Sequence, residues 1–114
     1  MTVKLNHCAF ENAKRLIEEG KFVADERDAW SEHHPSTRME KEFIEQNGFA
    51  EYGKWFLAVN DDHPEDRRGH YEFPYGDLVN VHRCAILSAQ RRARYYEIKK
   101  VTTALLDLID DQER

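Results

Sequence analysis

Residues 69–83 read GHYEFPYGDLVNVHR, with two glycines, a proline, three aromatic rings, two histidines, two acids and an arginine in fifteen positions. Tyr71, Phe73 and Tyr75 alternate, which is the period of a strand with one face covered. Pro74 has no N–H to give to a ladder, so the strand ends there or lies at a sheet edge. Pro74, Gly76 and Asp77 supply turn chemistry, and Asp77 is placed to cap a long helix whose buried stripe is Leu78, Val81, Ala85, Ala89 and Ala93. Upstream, residues 54–60 (KWFLAVN) have strand composition, and the polar run 61–70 (DDHPEDRRGH) between the two reads as a loop. The stretch therefore predicts a β-hairpin, about 54–60 and 70–75, whose exit turns onto a helix.

On the N-terminal side, Phe10, Ala13, Leu16 and Ile17 keep helical spacing. Asn6 stands at the N-cap position, Leu5 and Phe10 form a hydrophobic staple, and Gly20 is the stop. A short helix over about Asp25 to His33 buries Trp30 and ends before Pro35. Thr37 and Glu40 match a capping box for a third helix, with Met39 and Phe43 on one face and Asn47-Gly48 as its end. On the C-terminal side, Ile98, Val101, Leu105, Leu108 and Ile109 continue the helical pattern after a bend near residues 95–97. The expected fold is α+β: one mainly helical domain over residues 1–114, with four to five helices carrying one hairpin. A lone hairpin is marginal in water, so it must lie on those helices or pair with a second copy of the chain, which makes a homodimer a natural expectation.

The chain has 114 residues, a net charge of −5 and 34% charged side chains. Its longest apolar run is Trp55 to Val59, far short of a bilayer-spanning helix. The N-terminus, MTVKLNHCAF, lacks the apolar core of a signal peptide, which points to the cytoplasm. Cys8 and Cys84 have no CxxC spacing and read as buried free thiols. Charge is uneven: residues 1–52 sum to −4, 53–77 to −3 and 78–114 to +2.

Four sets of residues could carry chemistry. His70, Tyr75, Asp77, His82 and Arg83 surround the corner and form a candidate ligand surface, with His82 able to act as an acid or base if a carboxylate orients one ring nitrogen. Asp62, His63 and His70 offer metal ligands in the hairpin loop, but their spacing matches neither a calcium loop nor HExxH, and a solvated acidic turn is the preferred reading of them. Arg83, Arg91 and Arg94 fall toward one side of a continuous helix and could bind phosphate or nucleic acid, although the whole chain is acidic. No nucleophile elbow, P-loop or dinucleotide fingerprint is present and no cofactor is implied, so an enzyme is the minority reading.

The strings WSEHHPS (30–36), GKW (53–55) and FPYGDLVNVHR (73–83), in that order, resemble a family of small uncharacterised microbial proteins. The resemblance spans about residues 10–110 and carries no activity with it. Phe56 and Asn60 depart from the family pattern, which has histidine and aspartate at those places. Together these features predict a small, non-catalytic binding or accessory protein. A metal- or histidine-dependent enzyme and a nucleic-acid accessory protein using the basic stretch 83–100 are the alternatives.

Overall fold

The fold is built from α1 (His7–Glu18), whose apolar spacing brings Ala9, Ala13, Leu16 and Ile17 inward. A computed structural model describes residues 3–26 and 29–113. Asn6 stands at the N-cap of α1 but makes no cap bond. Its side-chain amide donates to the carbonyls of Gly53 and Phe56 at 2.9 and 3.1 Å, pinning the helix start to the sheet. Gly20, at φ 78°, turns the chain out of the helix as expected.

β3 (Phe56–Asn60) and β4 (Tyr71–Pro74) pair antiparallel, with Ala58 opposite Glu72, so the hairpin is present. It is not alone. β1 (Val3–Leu5) pairs antiparallel with the other side of β3, giving the order β1-β3-β4 with β4 at an edge, where Pro74 can sit. A second sheet joins β2 (Phe22–Val23) in parallel to β5 (Val81–His82). The expectation of one hairpin is corrected on this point. Strands of two or three residues leave too little alternation to be seen in sequence, and their pairing lies across more than fifty residues. With β1 beside it, the hairpin finds its support within the chain.

The helix expected from Asp77 begins later. Asp77 Oδ1 accepts from the N–H groups of Val79 and Asn80 at 3.0 and 2.7 Å, as a capping residue would, but Leu78 takes a left-handed φ of 74° and Val81 donates to Lys21 O in the second sheet. The helical segment is α4 (Arg83–Arg92), and Ala93 ends it, three residues before α5 (Tyr96–Gln112). The break therefore falls slightly ahead of the bend expected at residues 95–97.

The short helix is α2 (Trp30–His33), four residues long, and residues 27–28 of the span expected for it lie outside the described residues. In α3 (Thr37–Gly53) the cap is Ser36, whose Oγ accepts from Met39 N–H, one residue ahead of the expected Thr37. Met39 faces solvent at 51% exposure rather than packing with Phe43. Gly48, at φ 85° and ψ 167°, interrupts the helix where a stop was expected, and a further helical turn follows it. The main core gathers Ile17, Tyr52, Trp55, Leu57, Ile86, Leu105 and Ile109 between α1, α5, α4 and the three-stranded sheet. Each such fully buried aliphatic side chain is worth roughly 1.5–3 kcal/mol.

Candidate functional site

The corner that follows β4 is a tight one. Gly76 is required there by close approach, because a Cβ at this position would stand 2.3 Å from Asn80 O and 2.8 Å from the Trp55 ring. The chain then loops through Asp77 and Leu78 and returns at His82, whose N–H donates to Tyr75 O at 3.0 Å. This return points the His82 ring toward the segment that leaves β2. There Asp25 Oδ2 meets His82 Nδ1 at 2.7 Å, while Asp77 Oδ2 meets His82 Nε2 at 2.8 Å. His82 is thus a buried imidazole with a carboxylate on each nitrogen.

Asp25 is the hub. Its Oδ1 accepts the backbone N–H of Cys84 at 2.8 Å, so it caps α4 from a segment 59 residues away in sequence. Its Oδ2 also meets His33 Nδ1 at 2.8 Å. The Cys84 sulfur lies 3.7 Å from the same His33 nitrogen, and the Trp30 ring packs on His82 with centroids 6.1 Å apart. Among the described residues, Asp25, His33, His82 and Cys84 are the metal-ligand types that converge: one ligand atom from each lies within 4.8 Å of every other.

Electrostatics follow this geometry. Burial pushes the Asp25 carboxyl up, but hydrogen bonds from His82, from the backbone and thiol of Cys84 and from His33 outweigh it and hold the group at about 2. For Asp77, burial is likewise overcome by the Asn80 N–H, His82 and the Val79 N–H, and its pKa falls. Burial works against a charged His82, yet the two carboxylates win and raise its pKa above 6.5. The Cys84 thiol is pushed up to about 12, first by burial and then by Asp25. A neutral thiol of this kind is a poor nucleophile.

The residues singled out from sequence separate into different places. Asp77 and His82 belong to the cluster. His70 does not: it is buried in the hairpin loop, its Nδ1 donating to Asn60 O and His63 O at 2.9 and 2.8 Å. Tyr75 lies fully inside the core, where its hydroxyl donates to Lys54 O and accepts from Asn12. Arg83 turns away toward α5, 3.8 Å from Asp110 Oδ1. The loop set of Asp62, His63 and His70 does not bring three ligand atoms together, because the inward nitrogen of His70 serves the loop backbone and Asp62 and His63 lie at the exposed surface.

The arginine face is also redistributed. Since α4 stops at Arg92, Arg94 stands in the break and does not continue the line of Arg83, while Arg91 is exposed and Arg92 lies over the Phe73 ring at 5.5 Å. Of the two thiols expected to be buried, Cys84 is and Cys8 is not, since Cys8 lies on the outer side of the first turn of α1 beside the inward Ala9.

Sequence reading missed Asp25, His33 and Cys84. Their one local signal was the pair His82-x-Cys84 at a helix start, since nothing in the spacing links it to Asp25 or His33. A cleft of about 280 Å³ opens beside the cluster, lined by Trp30, His34, Pro35, Glu40, Phe56, Pro74, Gly76, Leu78 and Arg92. Phe56 and Asn60, the two departures noted above, lie outside the cluster. Phe56 packs on Tyr52 and lines the cleft, and Asn60 receives His70 and the Asp62 N–H. No family model, curated protein or solved structure matches this chain.

Proposed function

We propose that this protein is a non-catalytic binding module, and that the cleft at the Pro74–Gly76 corner receives a small carboxylate with an apolar body. The observation that carries the reading is the composition of the cleft: Trp30, Phe56, Pro35, Pro74 and Leu78 supply an apolar lining, exposed Arg92 supplies a cation, and the carboxylate in the lining, Glu40, is already engaged by Arg68 and the Tyr52 hydroxyl. The cluster behind it supports binding rather than catalysis. Both ring nitrogens of His82 are engaged by carboxylates, and the thiol of Cys84 sits at about 12, so neither group is poised as a base or nucleophile.

Two of the three strings behind the resemblance to the small microbial family, WSEHHPS and FPYGDLVNVHR, meet here, with the Trp30 and His33 rings packed against His82. That meeting supports treating the corner as the working surface of the protein.

The test uses 3-phenylpropionate as probe, followed by NMR through the Trp30 indole N–H. Saturable shifts of Trp30 and Leu78 are expected, with binding weakened about tenfold in Arg92→Ala, equivalent to the loss of one charge-assisted hydrogen bond. Absence of any shift, or identical binding by the uncharged 3-phenylpropanol and by Arg92→Ala, would overturn the reading.

A further inference from the structure

We infer that Asp25, His33, His82 and Cys84 form a binding site for one transition-metal ion of the zinc class, a site whose ligands tie the segment after β2 to the junction of β5 and α4. The donor set, one carboxylate, two imidazoles and one thiol, is the mixture that zinc takes and that magnesium and calcium avoid.

Distances agree with this. With Zn–S near 2.3 Å and Zn–N near 2.0–2.1 Å, a tetrahedral ion separates sulfur from nitrogen by about 3.6 Å and nitrogen from oxygen by about 3.3 Å. The Cys84 sulfur and His33 nitrogen already stand 3.7 Å apart. The two Asp25–imidazole separations, 2.8 and 2.7 Å, are hydrogen bonds and need only open by about 0.6 Å when an ion replaces the shared protons.

The surroundings are those of a prepared site. Asp77 holds Nε2 of His82 and so directs Nδ1 to the centre, which is the carboxylate–imidazole support that ligating histidines use. Asp25 is positioned by the Cys84 N–H through one oxygen and keeps the other for the ion. His33 is the exposed member, its side chain 37% accessible, and it marks the route of entry. Binding converts the thiol to a thiolate and sends its proton, with the proton between His82 and Asp25, to solvent, while the proton that His33 Nδ1 shares with Asp25 is exchanged through solvent for one on its own Nε2. Four side-chain ligands close the coordination sphere, so the ion acts as a clamp. It needs no fourth-position water and does not depend on what the neighbouring cleft holds.

Chelator-treated protein is to be titrated with Co²⁺ as the spectroscopic probe and then with Zn²⁺ in competition. One equivalent of Co²⁺ is expected, with the visible bands of a tetrahedral ion and a thiolate-to-cobalt charge-transfer band, both lost on adding Zn²⁺. His33→Ala, at an exposed position that leaves the fold intact, should weaken uptake at least tenfold. Asp77→Asn should weaken it roughly ten- to a hundredfold. Cys84→Ser should remove the charge-transfer band, and His63→Ala should change nothing. No stoichiometric uptake by the unmodified protein, or uptake that survives both His33→Ala and Cys84→Ser, overturns the site.

Discussion

His70 and His82 are equally buried, each 6% exposed, yet they belong to different kinds of place. His70 is held by carbonyls from its own hairpin, seven and ten residues away. A turn that buries backbone oxygens needs a donor, and an imidazole N–H is a compact one. His82 is held by two carboxylates, one of them 57 residues distant, which no turn requires. Burying two acids beside one ring is costly unless all three groups remain matched. The difference teaches that a buried histidine marks a site by the chemistry and sequence distance of its partners, and burial alone does not.

The sharpest way to break this comparison is to remove each ring. His82→Ala leaves Asp25 and Asp77 without their shared donor and should cost about 3–5 kcal/mol in chemical denaturation. His70→Ala strands two carbonyls and should cost about 1–2 kcal/mol. Equal losses would show the two places to be alike. The glycines that flank the two regions give the next largest contrast. Gly76→Ala drives a Cβ into the backbone oxygen of Asn80 and the Trp55 ring and should cost about 3 kcal/mol. At Gly69 the nearest atoms are those of the His63 ring at 3.4 Å, and alanine should cost under about 0.5 kcal/mol by thermal unfolding.

Acid and base sharpen the comparison further. The folded pKa of Asp25 lies below its ordinary 3.8, so its contribution, roughly 2 kcal/mol, is present above that value and is lost as the pH falls toward about 2. His82 is shifted the other way. Its contribution is complete below 6.5 and disappears as the pH rises through its elevated folded value. Metal-free protein should therefore melt highest between about pH 4 and 6.5 and lose stability on either side. His82→Gln should flatten the alkaline side of that profile. The smallest effect is expected at Arg83. Its 3.8 Å approach to Asp110 is a surface pair, and Arg83→Ala should change stability by less than about 0.5 kcal/mol and leave the Co²⁺ spectrum as it was.

The amino-acid sequence by itself determined the inward face of α1, the hairpin of β3 and β4, the polar loop between them and the presence of a sharp corner at residues 74–77. These rest on periods of two and 3.6 residues and on the restricted backbones of proline and glycine, all of which act within a few positions. Tertiary structure alone decided that β1 joins β3, that β2 runs beside β5, and that Asp77 starts a strand-bound loop before any helix. It also decided that Asp25, His33, His82 and Cys84 share one centre. Each of these depends on a partner far along the chain, and a two-residue strand or a single carboxylate has no periodicity by which such a partner could be read. The backbone of Val81 was free to continue a helix until Lys21 offered its carbonyl, and the imidazole of His82 had no identified partner until Asp25 and Asp77 closed on it.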